Sequence, residues 1–197
     1  ARVPAHPQAL YYLGTLAGQM AQWDRAVDLL RQAVALNPDQ PDLYNNLGIA
    51  LKGSGAYEDA IAIYREALRR RVNYPEALSN LGNLLAATGR VEEAVECCRR
   101  ALALRPDYLE ARFNLGVALE AAGQLPEAVA AYRQVAQYRP NFAEVIFRLG
   151  RALVANGERE EGVARLRAAV RLKPALAEAH MYLAMALDAG GQFEEAI

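Results

Sequence analysis

Residues 41–74 read PDLYNNLGIALKGSGAYEDAIAIYREALRRRVNY and hold one complete copy of a pattern that recurs along the chain. Its Leu47–Gly48 pair returns every 34 residues, as Leu13–Gly14, Leu81–Gly82, Leu115–Gly116, Leu149–Gly150 and, altered, Leu183–Ala184. A small residue recurs with the same spacing of 34 residues, at Ala26, Ala60, Ala94, Ala128, Gly162 and Ala196. So does a proline, at Pro38, Pro106, Pro140 and Pro174, with Val72 as the exception. Three markers in phase predict an array of short repeats.

Each repeat predicts two amphipathic helices. The first runs from about residue 42 to 54, where apolar side chains recur at helical spacing. Gly55 ends it, because glycine readily takes the left-handed conformation that closes a helix. Glycines 89, 123, 157 and 191 do the same in later repeats. The second helix runs from about Tyr57 to Arg70. One such hairpin cannot bury its own apolar face, so neighbouring hairpins must stack.

These residues resemble the tetratricopeptide repeat. That family has large residues at positions 4 and 11, Leu-Gly at 7 and 8, Ala at 20 and 27, an aromatic at 24 and Pro at 32. The copy at 41–74 supplies Tyr44, Leu47, Gly48, Leu51, Ala60, Tyr64 and Ala67. The departures elsewhere are Arg112, Val135, Gly162 and Ala184. The resemblance implies an all-α, right-handed superhelical solenoid. The 35-residue pentatricopeptide pattern, whose members bind RNA, would drift out of phase.

The repeats are expected to form a single array. Their predicted limits are 7–40, 41–74, 75–108, 109–142 and 143–176, followed by a partial repeat at 177–197. Residues 1–6 align with the end of a preceding repeat. Arrays of this kind need polar capping helices for solubility. Since neither end supplies one, we expect the array to continue or its ends to be covered by another molecule.

Composition argues against several classes of function. The chain has 22 Lys+Arg and 23 Asp+Glu, so its net charge gives no reason to bind nucleic acid. No apolar run is long enough to span a membrane. Cys97 and Cys98 are adjacent, and Cys98 takes the place of Tyr64, which predicts a core thiol. No catalytic or metal-ligating arrangement is present, so we expect neither an enzyme nor a cofactor.

Charged residues recur with the same period. Acidic residues at helix starts and basic residues at helix ends suit the helix dipole. An arginine stripe also repeats, at Arg31, Arg65, Arg99, Arg133 and Arg167. Because nearby acids balance it, we interpret this stripe as a solvated convex face.

The resemblance implies that positions 2, 5, 6, 9 and 12 of each first helix line a concave groove. The candidate peptide-binding residues there are Tyr12, Asn45, Asn46, Asn80, Asn83, Phe113, Asn114, Phe147, Arg148 and Arg151. Asn46, Asn80 and Asn114 share position 6. Because an amide both donates and accepts hydrogen bonds, this row could bind the main chain of an extended peptide. It is similar to the asparagine ladder of O-linked N-acetylglucosamine transferases.

Two further hypotheses concern the ligand. Phe113 and Phe147 at position 5 would be costly to leave exposed, which suggests a hydrophobic pocket around them. A carboxylate clamp, which grips chaperone C-termini in this family, is disfavoured. Ser79 lacks the charge that such a clamp needs, and Glu144 reverses it.

The sequence therefore predicts a protein-interaction scaffold that binds a peptide or protein segment in the groove. Two alternatives stay open. The array could be the recognition arm of a larger enzyme such as a glycosyltransferase, or it could assemble end to end with further copies. No nucleic-acid or membrane partner is expected.

Overall fold

The computed structural model describes residues 6–188. Within that range the chain forms α-helices and no strands, so the predicted all-α fold is confirmed. The first six helices are α1 (Pro7–Gln19), α2 (Trp23–Leu36), α3 (Pro41–Gly53), α4 (Tyr57–Arg70), α5 (Pro75–Ala87) and α6 (Val91–Leu104). They are followed by α7 (Leu109–Ala121), α8 (Leu125–Tyr138), α9 (Ala143–Ala155), α10 (Arg159–Leu172) and α11 (Ala177–Asp188). The parts of the predicted array at 1–5 and 189–197 lie outside the described residues.

The helices divide into two compact units, with the boundary between Ala111 and Arg112. Unit 1 contains α1 to α6 and the start of α7. Unit 2 contains the rest of α7 and helices α8 to α11. Pairs of helices pack as hairpins, namely α1 with α2, α3 with α4, α5 with α6 and α9 with α10. Helices α2, α4, α8 and α10 also pack on the first helix that follows them.

The predicted helix limits agree closely with the structure. The second helix of the repeat at 41–74 spans Tyr57–Arg70, as expected. The first helix begins one residue earlier than predicted, at Pro41, because proline is favoured at the first helical position. It ends at Gly53, one residue before the predicted end.

The turn between the two helices of a repeat needs a left-handed residue. Gly55 has a φ of +83°, and a Cβ added there would meet no atom within 4 Å. Glycine is therefore favoured at position 55 because of the backbone conformation, and not because a side chain would lack space. Gly89, Gly123 and Gly157 also have positive φ, which confirms their predicted role. Ala21 holds the same place in the first repeat with a φ of 55°. Gly191, predicted to act likewise, lies outside the described residues.

The glycine at position 8 permits close packing within each hairpin. A Cβ on Gly48 would lie 2.6 Å from the Tyr64 ring. The residue nearest to Gly48 is thus the aromatic side chain at position 24 and not the small Ala60 at position 20. At Gly82 both neighbours contribute, since a Cβ there would meet Cys98 Sγ at 2.6 Å and the Ala94 carbonyl at 3.1 Å.

The core contains the side chains that the repeat pattern assigned to it. Tyr64, Cys98 and Tyr132 share position 24 and are each 0% exposed. The predicted core thiol at Cys98 is thus confirmed, and burial raises its pKa to about 12. Among residues 6–188, no three His, Cys, Asp or Glu side chains lie close enough to hold a metal ion. No helix in that range is both long and apolar enough to cross a membrane.

Ion pairs link the second helices to the repeats that follow. Arg65 Nη2 lies 2.6 Å from Glu93 Oε2. Arg133 reaches both Glu158 and Glu161, each at 2.6 Å. These two members of the arginine stripe are thus paired with acids, in line with our interpretation of a solvated, charge-balanced face.

Candidate functional site

The first helices of unit 1 are joined by hydrogen bonds between their polar side chains. Asn46 Nδ2 on α3 donates to Thr15 Oγ1 on α1 at 3.1 Å. Asn80 Nδ2 on α5 donates to Asn45 Oδ1 on α3 at 3.0 Å. Each bond crosses from one predicted repeat to the next. The amides thus fix the register between neighbouring first helices, a role that sequence reasoning did not assign to them.

These amides differ in how far they reach the surface. Asn45 is 6% exposed and acts as an acceptor within the packed helices. Asn46, Asn80 and Asn83 are half-buried. We name Asn46, Asn80 and Asn83 the amide row of unit 1. Tyr12, the remaining candidate in this unit, is exposed and packs against the Tyr11 ring with centroids 5.4 Å apart.

Lys52 extends the amide row with a cation. Its Nζ donates to Asn83 Oδ1, which links α3 to α5. Burial lowers the pKa of Lys52, while the negative charge of Glu110 acts in the opposite direction. Counted from Pro41, Lys52 is at position 12, which the family resemblance places on the ligand side. The sequence therefore contained the signal for Lys52, although it was not among the predicted site residues.

In unit 2, the Glu120 carboxylate is the common acceptor for polar side chains of neighbouring helices. The Glu120 side chain is 16% exposed and accepts hydrogen bonds from Arg151 Nε at 2.9 Å and from the Tyr132 hydroxyl at 3.0 Å. Arg148 Nη1 lies 3.9 Å from the same carboxylate, but its closer partner is Glu144 at 2.8 Å. Two predicted site residues, Arg148 and Arg151, thus lie beside Glu120, an acid that was not predicted.

Aromatic rings lie beneath these guanidinium groups. The Arg151 guanidinium carbon is 5.6 Å from the centre of the Phe147 ring and 5.4 Å from that of Tyr182. Arg148 lies 5.7 Å from the Phe113 ring. Such contacts between a cation and an aromatic face are attractive, and they fix the planes of both groups.

Two expectations about unit 2 are wrong. Phe147 is 1% exposed, so it cannot line an open hydrophobic pocket, because Arg151 and Tyr182 pack over it. Phe113 is half-buried against Tyr132, with ring centroids 5.8 Å apart. Asn114 is 4% exposed and so is not a surface amide like Asn46 and Asn80. The predicted row of three amides therefore reaches the surface at two positions.

Each unit has a cavity beside its first helices. In unit 1 the cavity measures about 260 Å³ and lies among α1, α2 and α3. Its lining includes Thr15, Gly18, Gln19, Trp23, Asn46, Ile49 and Ala50. In unit 2 a cavity of about 510 Å³ lies among α9, α10 and α11. Its corresponding residues are Arg151, Val154, Ala155, Arg159, Tyr182, Met185 and Ala186. Each residue in the unit 2 list comes four repeat lengths after the residue in the same place of the unit 1 list. The two cavities therefore occupy the same place in the repeat.

The comparisons with known proteins identify the repeat. Three family models described as tetratricopeptide repeats match the chain at residues 11–77, 73–141 and 119–175. The chain belongs to the tetratricopeptide repeat family. A search of curated protein sequences finds no match.

Solved tetratricopeptide structures share the fold. MamA 41-end from Desulfovibrio magneticus RS-1 is 27% identical with a TM-score of 0.73, over 79% of this chain and 88% of that one. Pseudomonas aeruginosa pilF is 19% identical with a TM-score of 0.83, over 96% of this chain and 86% of that one. YrrB, described as a TPR protein with an unusual peptide-binding site, is 22% identical with a TM-score of 0.70, over 89% and 90%.

Position 12 of the repeat differs between the repeats that have a bridge and those that have a cavity beside the first helices. In the second repeat, Lys52 crosses this space to Asn83. In the fourth, Glu120 binds Arg151 there. The first and fifth repeats have Gly18 and Val154 at position 12, and both have a cavity. In these four repeats, the long charged side chains Lys52 and Glu120 bridge to the next first helix, whereas Gly18 and Val154 border a cavity.

Proposed function

We propose that this tetratricopeptide protein is an interaction scaffold that binds an extended peptide segment along the first helices of unit 1. The observation that carries the proposal is the alignment of the half-buried Asn46 and Asn80 amides on successive first helices. Each donates one hydrogen bond to a neighbouring repeat. An amide has two N–H groups and a carbonyl oxygen, so each amide keeps a second N–H for a peptide main chain, while Asn46 Oδ1 already accepts a long hydrogen bond of 3.5 Å from Asn45 Nδ2.

The hydrogen bonds between repeats also favour binding, because they hold the amides in place before the ligand arrives. A side chain that is already ordered loses less conformational entropy on binding, so more of the contact energy contributes to affinity. The Asn46–Thr15 and Asn80–Asn45 bonds have normal lengths of 3.1 and 3.0 Å. Bonds from amides to a peptide backbone depend little on its side chains, so we expect tolerant recognition.

Unit 2 offers a different kind of contact. The acids Glu120 and Glu144 balance the guanidinium groups of Arg148 and Arg151. A ligand carboxylate would have to compete with Glu120 for Arg151, and it would be repelled by that acid. We therefore propose that a ligand at unit 2 makes apolar contacts with half-buried Tyr182 and exposed Met185 and is not held by a carboxylate clamp.

The test begins with peptides selected from a random phage-displayed library on the intact chain. Their dissociation constants are then measured by fluorescence anisotropy for the intact chain and for the Asn46→Ala/Asn80→Ala variant. Loss of two hydrogen bonds, each contributing about 1 kcal/mol, should weaken every selected peptide by roughly tenfold or more. Arg65→Ala is the matched control, because it removes a polar contact from a second helix, and it should leave affinity unchanged.

Two results would count against the proposal. Unchanged affinity in the double variant, with the helix content and thermal midpoint of the intact chain, would exclude the amides as the binding groups. A loss confined to one of several peptides would indicate sequence-specific contacts in place of backbone recognition.

A further inference from the structure

The cavity of unit 1 is lined by apolar and by uncharged polar residues. Trp23, Leu30 and Ile49 are its large apolar lining residues. Its polar lining includes Asn46 and Thr15, which are already hydrogen-bonded to each other at 3.1 Å. Its volume is about 260 Å³. An apolar cavity of about 150 Å³ accepts a benzene-sized molecule, so this one has room for a large hydrophobic side chain.

The next repeat shows what kind of group fits this place. There the Lys52 side chain crosses the equivalent space from α3 and reaches Asn83 on α5. The long aliphatic stem of lysine therefore fits between two first helices of this protein. In the first repeat Gly18 stands where Lys52 would be, so no side chain of the chain itself enters from that position.

The lining selects against a charged occupant. None of the residues lining this cavity is ionisable. A charged group that entered would lose hydration without gaining an opposite charge, which is costly. An aliphatic or aromatic group loses no hydrogen bonds on entry and gains dispersion contacts with the Trp23 ring. The cavity therefore fits an uncharged, apolar side chain.

We propose that this cavity, the Trp23 socket, binds one large apolar side chain of the partner segment, such as leucine, isoleucine or phenylalanine. Asn46 borders the socket and belongs to the amide row. A peptide whose backbone contacts the Asn46 amide would thus place a side chain at the socket's edge. The inference rests on the proposed peptide binding, to which it adds a preferred class of side chain.

The experiment uses N-acetyl-L-leucinamide as the probe and nuclear magnetic resonance as the readout. Trp23 is the only tryptophan of the chain, so its indole N–H gives a single resonance. The expected result is a saturable shift of that resonance with the leucine probe. The glycine analogue should give no shift, because it has no side chain, and the lysine analogue should give a much smaller one. A larger response to the lysine analogue would overturn the apolar assignment.

Two substitutions at Gly18 provide the structural control. A Cβ at Gly18 would lie 3.6 Å from the Trp23 ring and 3.9 Å from the Ala26 Cβ, which are ordinary contacts. Gly18→Ala should therefore fold normally and keep most of the probe binding. Gly18→Leu should fill the socket and weaken binding of the probe by at least about tenfold. Unchanged binding to a folded Gly18→Leu variant, or no shift of Trp23 at saturating probe, would overturn the proposal.

Failure of the socket and failure of the proposed function give different results. If selected peptides lose affinity in Asn46→Ala/Asn80→Ala but not in Gly18→Leu, the amide row binds and the socket does not. The opposite result is also possible: the leucine probe shifts the Trp23 resonance and binds more weakly to Gly18→Leu, while selected peptides keep their affinity in Asn46→Ala/Asn80→Ala. In that case the socket binds an apolar side chain and the peptide-backbone proposal fails.

Discussion

The Tyr132 hydroxyl donates a 3.0 Å hydrogen bond to the Glu120 carboxylate, twelve residues earlier in the same repeat. Tyr64 occupies the same place two repeats before, where position 12 is Lys52. Within the part of the chain that the structure describes, the Tyr64 hydroxyl is buried and has no hydrogen-bond partner. Two tyrosines that share a position in the repeat, and are both 0% exposed, therefore differ in whether their polar atom is satisfied.

The two tyrosines should respond differently to loss of the hydroxyl. Tyr132→Phe removes a hydrogen bond to a charged acceptor and should lower the free energy of unfolding by about 1.5 kcal/mol or more. Tyr64→Phe removes an unsatisfied buried group and should leave that free energy unchanged or raise it by up to about 1 kcal/mol. Urea denaturation of both variants measures the difference. Equal losses would show that the contrast in bonding does not matter.

A second prediction concerns the only described residue other than glycine with a positive φ. Ala21 has a φ of 55°, and for an L-residue this conformation costs about 1–2 kcal/mol. Ala21→Gly relieves that cost but adds conformational freedom to the unfolded chain, worth about 0.4–1 kcal/mol. The free energy of unfolding should therefore rise by roughly 0.5–1 kcal/mol.

Gly55→Ala is the matched control for Ala21→Gly. Nothing lies within 4 Å of a Cβ at Gly55, so any loss reports on the backbone conformation alone. The free energy of unfolding should fall by about 1 kcal/mol. Stability changes of the same sign in both variants would contradict the role given to this turn position.

A third prediction concerns acid. Asp42 accepts hydrogen bonds from the Tyr74 hydroxyl at 2.6 Å and from both terminal nitrogens of Arg71 at 3.1 Å. Burial alone would raise the pKa of Asp42, but these bonds outweigh it and the pKa is lowered from 3.8. A lowered folded-state pKa means that the stabilisation is complete above the unfolded pKa, near 3.9, and is lost as the pH falls through the folded value.

Asp42→Asn should therefore be less stable than the intact chain at pH 7, and the gap should narrow below about pH 4. Urea midpoints of both proteins between pH 7 and pH 2 provide the measurement. A gap that stays constant over this range would mean that the ionised carboxylate is not the stabilising group.

A fourth prediction concerns thiol reactivity. Cys98 is 0% exposed, and this burial raises the pKa of its thiol to about 12. Little nucleophilic thiolate therefore forms near neutral pH. Burial also raises the pKa of Cys97. Alkylation by iodoacetamide at pH 8 should be slow in the native protein and rapid in 8 M urea, with mass spectrometry as readout. Rapid native modification of Cys98 would contradict its place in the core.

Local sequence determined the helices well. Gly55 predicts a helix end from its own conformational freedom, and the limits Tyr57–Arg70 follow from apolar spacing between two turns. The small residue at Gly48 also indicates that another helix packs closely there. The sequence did not indicate that Tyr64 would be the nearest residue, because its ring reaches Gly48 only once the hairpin is folded.

The candidate site was harder to predict because burial there depends on the next repeat. Phe147 was expected at the surface, yet Arg151 and Tyr182 cover it. Asn46 and its equivalents stand out in the sequence because the same residue type recurs. Position 12 varies from Gly18 to Lys52, so recurrence does not mark it. The variation itself was the signal, since bridges form at Lys52 and Glu120 and cavities lie beside Gly18 and Val154.

If the amide row of unit 1 contacts a peptide, the side-chain amide resonances of these residues will report the contact. A ¹⁵N-labelled chain is titrated with a selected peptide. We expect the Asn46 and Asn80 side-chain amide signals to shift saturably. Asn37, whose amide donates to Gln40 in a turn, should not shift. Saturable binding that leaves Asn46 and Asn80 unmoved would contradict the account.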